Sequence, residues 1–317
     1  MHFLPLRRYA GAGALLVVGA ALLWGTVGLV GAIVHERSGL SALAISFWRL
    51  AFASAAMLPL LLRGRPAFVT SDRFRLVGVG IALAAYQACY FTAVVLASVS
   101  LATLVTLGLA PVLMGLGSRL LLHETVQRST VVAGAAALVG LFLLVGAPAS
   151  GTTATAWSGA ALACGSAAGY AGMTLVTRRR RTTAQVSTFT AASLGVGAFA
   201  ALPAALWDGL TLPSDAVSLL LLVYLGVGPT ALAYLAFFRG LTTVAATTAG
   251  VLTLIEPAAA TLLAVVLLDE RLGVGGAAGA VLLLCAALAL TLVQARSTRR
   301  ATANGPDAPT PAPAPTR

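Results

Sequence analysis

Two ionisable side chains stand where charge is expensive. Arg49 interrupts an otherwise uncharged run from 38 to 62, and Glu256 interrupts one from 240 to 268. Groups so placed face a partner or a water-filled cavity. Arg49 therefore reads as a contact for an anionic group such as a carboxylate. Glu256 reads as a proton carrier or a contact for a cationic group. The competing reading is packing, in which the two steady each other or backbone carbonyls. Trp24, Tyr86, Gln87, Tyr90, Thr103, Thr106, Tyr170 and Tyr234 are candidates to line a pathway around them with stacking and hydrogen-bonding surface. Each also has a structural role open to it, because Tyr and Trp anchor helices at headgroups and Thr bonds within its own helix.

Covalent and metal chemistry find little support. Ser118 and His123 are five residues apart, about 140° around a helix axis at 3.6 residues per turn, and no second glycine completes a nucleophile elbow. Cys89, Cys164 and Cys285 lie in separate apolar runs, with no His at metal-ligand spacing. Lysine is absent, which excludes a Walker A loop and a lysine Schiff base. The expectation is no enzymatic activity, no cofactor, no metal ion and no ATP hydrolysis by this chain.

The elements that position these residues must be membrane helices. Hydrophobic residues make up 59% of the 317 and charged residues only 9%, with a mean hydropathy of +0.96, whereas soluble domains carry about a quarter charged residues. Lipid offers no hydrogen-bond partners to the backbone, so spans are helices or closed barrels. The apolar runs are continuous rather than alternating, which selects helices. Ten are predicted, near 11–34, 40–62, 74–97, 100–122, 129–147, 154–177, 184–206, 215–238, 244–268 and 272–295. Two breaks are argued from length: one around Ser98 to Ser100, the other at the Gly146, Pro148, Ser150 and Gly151 breakers.

The net charge of +11 is spread between the runs rather than along one stripe, so it indicates topology and no nucleic-acid partner. With an internal N-terminus, Arg7, Arg8, Arg63, Arg65, Arg73, Arg75, Arg128, the run Arg178 to Arg181, Arg296, Arg299 and Arg300 all fall on the cytoplasmic side, as positive-inside retention requires. Only Arg37 and Arg271 fall outside, each beside an acid, and Asp208 and Asp215 share another outer loop. The chain is expected in the inner (cytoplasmic) membrane with residues 1–10 and a disordered tail, 296–317, both cytoplasmic.

The sequence also repeats itself. Leu109-Ala-Pro111 followed by Leu120-Leu-Leu-His-Glu124 matches Ile255-Glu-Pro257 followed by Val266-Leu-Leu-Asp-Glu270, with Pro and Glu thirteen residues apart in both. Repeats of 11–147 and 154–295 would each hold five helices, and an odd number of crossings inverts the second relative to the first. Pro111 and Pro257, each removing a helix hydrogen bond, are the predicted helix breaks. Glu124 and Glu270 read as structural residues at helix ends, capping neighbours or pairing with Arg128 and Arg271.

Trp24-Gly25, Phe47-Trp48-Arg49 and the twice-used Pro then Leu-Leu-x-Glu pattern resemble the ten-helix EamA-type transporters of the drug/metabolite transporter superfamily. The resemblance covers roughly 11 to 295. The chain departs from the usual pattern in lacking lysine and in placing His123 and Asp269 before the closing glutamates. The resemblance implies a secondary transporter, moving metabolites, amino acids or drugs outward or by exchange, with a small-molecule substrate and the lipid bilayer as its partners. A channel or a non-transporting scaffold is the alternative class.

Overall fold

A computed structural model describes residues 10–63, 70–97, 99–145, 154–178, 183–268 and 273–303. All the regular structure is helical: α1 (Ala10–Gly25), α2 (Val27–Ser38), α3 (Ala42–Arg63), α4 (Thr70–Leu96), α5 (Val99–Leu121), α6 (Arg128–Val145), α7 (Ala154–Arg178), α8 (Thr183–Trp207), α9 (Ala216–Gly226), a π turn (Val227–Leu232), α10 (Ala233–Gly240), α11 (Ala246–Thr253), α12 (Ile255–Leu268) and α13 (Val274–Ala303). Among the described residues nine spans are long and apolar enough to cross a bilayer, and α6 is a shorter apolar tenth. Three spans are compound. The first is α1 with α2, the eighth is α9, the π turn and α10, and the ninth is α11 with α12.

The packing is that of two interlocked, inverted halves. The first span of each half lies against the third and fourth spans of the other: α7 packs on α4 and α5, and α1 packs on α10, α11 and α12. Equivalent spans meet across the middle, α3 on α8 and α6 on α13. Small residues make this approach possible, as is usual where lipid supplies no driving force for helix association. At the α6–α13 crossing a Cβ on Gly279 would stand 2.6 Å from the Gly140 carbonyl oxygen and 2.6 Å from the Leu144 nitrogen. The backbones touch there.

The interruptions agree with the predicted ones only in part. Thr26 divides the first span, and its hydroxyl donates to Leu23 O at 2.8 Å. Pro257 has no N–H to offer the Thr253 carbonyl, and the ninth span breaks at Leu254, between α11 and α12. Pro111 leaves α5 undivided, a correction to its expected role as a break. It is held against α11, where a Cβ on Gly250 would lie 3.3 Å from the Pro111 Cα. The expected tail is corrected over 296–303, where α13 continues to Ala303, and 304–317 lie outside the described residues. Ala and Arg favour helix, and extending a helix already nucleated is cheap.

Asp215 caps α9. The Ser218 hydroxyl beside it, the Ser218 N–H donating at 3.0 Å and the Arg37 guanidinium at 3.2 Å hold its carboxyl down to about 2. Its depressed value means that the pair is fully formed above the ordinary carboxylate range and is lost only as pH falls towards 2. Glu124 pairs with Arg178 at 3.0 Å rather than with Arg128. Glu270, Asp269 and Arg271 lie outside the described residues.

Candidate functional site

Arg49 reaches the middle of the bundle through a chain of local causes. Gly226, at the end of α9, lets that helix lie on the α3 backbone: a Cβ there would stand 2.5 Å from the Phe52 Cβ and 3.2 Å from Arg49 O. Three residues on, Pro229 cannot donate to Leu225 O, and the helix widens into the π turn. The Thr230 hydroxyl takes up the orphaned carbonyl, donating to Leu225 O at 2.7 Å. Its oxygen then accepts from Arg49 Nε at 3.3 Å. Arg49 is 6% exposed, and its charge interacts through space with Tyr86, Tyr234 and Glu256.

Beside it lies a cluster of aromatic rings drawn from both halves. Trp24 on α1 packs against Tyr170 on α7, with ring centroids 6.2 Å apart, and against Tyr234 and Phe237 on α10 at 5.2 Å each. Tyr170 stacks on Phe237 at 6.0 Å and meets Tyr86 on α4 at 5.9 Å. The Tyr86 and Tyr234 hydroxyls are hydrogen-bonded. Trp24 and Tyr170 are separated by the same 146 residues as Pro111 and Pro257, so equivalent positions of the two halves meet edge to face at the centre. Gly169 lets α7 close on α4 beside Tyr170, since a Cβ there would stand 2.9 Å from the Tyr86 Cβ.

Polar atoms remain unpaired within the cluster. Trp24 Nε1 is buried without a partner, and the Tyr170 hydroxyl faces Thr253 without reaching hydrogen-bond geometry. Such groups are costly to leave dry. Glu256 lies in the first turn of α12, the helix on which α1 packs. A Cβ on Gly25 would stand 2.7 Å from the Ala259 Cβ and 3.0 Å from Glu256 O, so the Trp24-Gly25 pair seats α1 on the glutamate's own backbone. Glu256 is half-buried. Among the described residues it makes no direct ion pair with Arg49; the two interact through space.

Of the candidates read from the sequence, Trp24, Arg49, Tyr86, Tyr170, Tyr234 and Glu256 converge here, and Tyr90 lies at the margin with its hydroxyl 2.8 Å from Thr103 Oγ1. Two stand apart. Gln87 Nε2 donates to Leu83 O at 3.2 Å, and the side chain lines a separate 160 Å³ crevice with Ser46 and Leu50. Thr106 donates to Ala163 O at 3.2 Å, fastening α5 to α7. The sequence reading missed Thr230, Phe237 and Thr253. For Thr230 a signal existed, since Pro229-Thr230 is a proline–hydroxyl pair inside an uncharged run.

The arrangement offers one cation, one acid and an aromatic wall at the junction of two inverted halves. A model of the EamA-like transporter family matches the chain twice, over residues 11–146 and again over 157–292. The chain belongs to the EamA-like transporter family. An uncharacterized transporter of Bacillus subtilis (strain 168), YwfM, is 30% identical over 296 residues, covering 92% of this chain and 96% of that protein. An uncharacterized transporter of Archaeoglobus fulgidus is 30% identical over 278 residues, covering 87% and 95%. A crystal structure of a protein superposes with a TM-score of 0.72 at 25% identity, over 90% of this chain and 98% of that one. The EamA-like transporter is thus a multi-pass membrane protein of the drug/metabolite transporter superfamily.

Close helix approach in this transporter gives a test of how Arg49 is held. Replacing Gly226 with valine puts atoms where Phe52 and the Arg49 carbonyl already stand. We expect a destabilisation of about 1–3 kcal/mol, read as a lower thermal midpoint in detergent, with transport lost even where the protein still inserts. The same change at Gly28, where a Cβ meets nothing within 4 Å, should alter stability by no more than about 0.5 kcal/mol.

Proposed function

We propose that this EamA-like transporter is a secondary carrier of the cytoplasmic membrane that exports small organic solutes by alternating access, with both termini cytoplasmic. The halves, over about 11–147 and 154–295, rock against each other around the Arg49–aromatic–Glu256 site. The observation that carries this reading is the site's composition. Arg49 and Glu256 come from opposite halves and meet at a ring cluster to which both halves contribute equivalent residues. Inverted-repeat transporters place substrate at such a junction near the bilayer midplane.

Arg49 supplies a fixed positive charge with further N–H groups free to meet a carboxylate, in the forked geometry that a guanidinium offers. Glu256 accepts a proton or a cationic group of the same solute. The rings of Trp24, Tyr170, Tyr234 and Phe237 cover its apolar portion. Amino acids, related metabolites and amphipathic drugs have this chemistry. Deleting and overexpressing the gene while measuring extracellular metabolites and drug tolerance tests the direction. Export predicts that overexpression raises an extracellular pool or tolerance and deletion lowers it; an accumulation inside on overexpression would contradict it.

A further inference from the structure

Two ion pairs among the described residues sit at opposite ends of the bundle, and each ties one half to the other. Arg37 closes the first span of the first half and meets Asp215 at the start of the eighth span, the third of the second half. Arg178 closes the first span of the second half and meets Glu124 between the fourth and fifth spans of the first. One crossing precedes Arg37 and six precede Arg178, so the pairs lie on opposite membrane faces. We propose that these are two latches over the central site, one for each face, and that they are unequal, so that the Arg37–Asp215 face opens more readily.

Each latch continues inward as contacts between the halves. Below Arg37–Asp215, Trp48 Nε1 donates to Thr211 O at 2.8 Å, Thr26 meets the Tyr224 hydroxyl at 3.0 Å, and Val34, Leu40 and Ile45 pack on Leu222 and Leu225. At the other face, on which α1 begins at Ala10, Thr130 meets Thr248 at 3.2 Å. Arg178 there also donates to Thr242 O at 3.4 Å, tying in the turn between α10 and α11.

The inequality follows from solvent. The Arg37 and Asp215 side chains are 48% and 37% exposed, whereas those of Arg178 and Glu124 are 21% and 25% exposed. Exposed pairs are screened and contribute little. A partly buried pair is screened less, and severing it strands a desolvated charge. Glu124 Oε2 and Arg178 Nε are already buried without further partners. Moving the halves apart at the Ala10 face therefore costs more than at the other.

Cysteine accessibility tests this without knowing the solute. Cys89, Cys164 and Cys285 are replaced by alanine and Thr253, 2% exposed beside Tyr170, is made the sole cysteine in sealed vesicles of one orientation. A membrane-impermeant thiol reagent is then added to either face. The parent should react faster from the Arg37–Asp215 face. Asp215→Asn or Arg37→Gln should raise labelling from that face by about two- to fivefold, and Glu124→Gln or Arg178→Gln should raise labelling from the Ala10 face by about tenfold. Exchanging the partners, Arg37→Asp with Asp215→Arg or Glu124→Arg with Arg178→Glu, should restore the parent rates. Unchanged labelling in well-folded variants, a rise at the wrong face, or no recovery in the exchanged pairs would overturn the proposal. The inference rests on the carrier reading, but labelling needs no transported solute. Latches that respond in a protein without flux sink the carrier reading alone, and flux with unresponsive labelling sinks the latches alone.

Discussion

Arg49→Gln should lower transport kcat/KM by about a hundredfold while leaving the protein inserted and folded. Arg49 is 6% exposed and, among the described residues, makes a single side-chain hydrogen bond, to Thr230 at 3.3 Å. The further N–H groups of the fork are what a solute carboxylate would engage. Truncating one partner of a desolvated, hydrogen-bonded charge pair costs about 2–5 kcal/mol, which covers that factor. Arg49→Lys keeps the charge and loses the fork, so it should recover part of the loss and mainly in kcat rather than affinity. If Arg49 serves only packing, Gln will lower the thermal midpoint and leave the apparent affinity of the surviving protein unchanged.

Glu256→Gln should separate proton coupling from solute exchange. The carboxylate makes no direct ion pair among the described residues, and it is half-buried in the first turn of a helix that begins just after a break. A glutamine keeps the shape and removes the titration. Accumulation driven by a pH gradient should fall by about tenfold or more, while exchange of internal for external solute persists within about threefold. Undiminished gradient-driven flux at normal expression would rule out Glu256 as the proton carrier. Neutralising both residues together should insert better than Arg49→Gln alone, because the single change leaves an acid in the bundle without its cation.

The sequence was most legible where lipid dictates the answer. Ten apolar runs, the duplicated Pro and Glu motif and the placement of arginines led to the number of spans and their inversion, since a helix crossing a bilayer has few alternatives. Arg49 and Glu256 announced themselves by cost. What could not be read was which face of each helix turns inward, because an all-apolar span carries no amphipathic stripe: Gln87 and Tyr86 are neighbours on α4, and only Tyr86 faces the rings. Helix breaks were half legible. Pro257 marks one, Pro111 is absorbed by its packing on Gly250, and the π turn at Pro229 depends on Thr230 finding Leu225 O. Partners far apart in sequence, such as Glu124 with Arg178, follow from the tertiary arrangement, and local spacing had pointed to Arg128 instead.

Counterflow in proteoliposomes bears most directly on carrier action. Vesicles holding the purified chain are loaded with one unlabelled solute from a panel of amino acids and amphipathic cations, diluted, and supplied with a trace of the same compound in radiolabelled form. A carrier with one alternately exposed site gives a transient, saturable uptake of label that depends on internal solute and vanishes in Arg49→Gln. Uptake linear in concentration and indifferent to what lies inside would mean a continuous pore, and the rocking of two inverted halves around Arg49 and Glu256 would have to be abandoned.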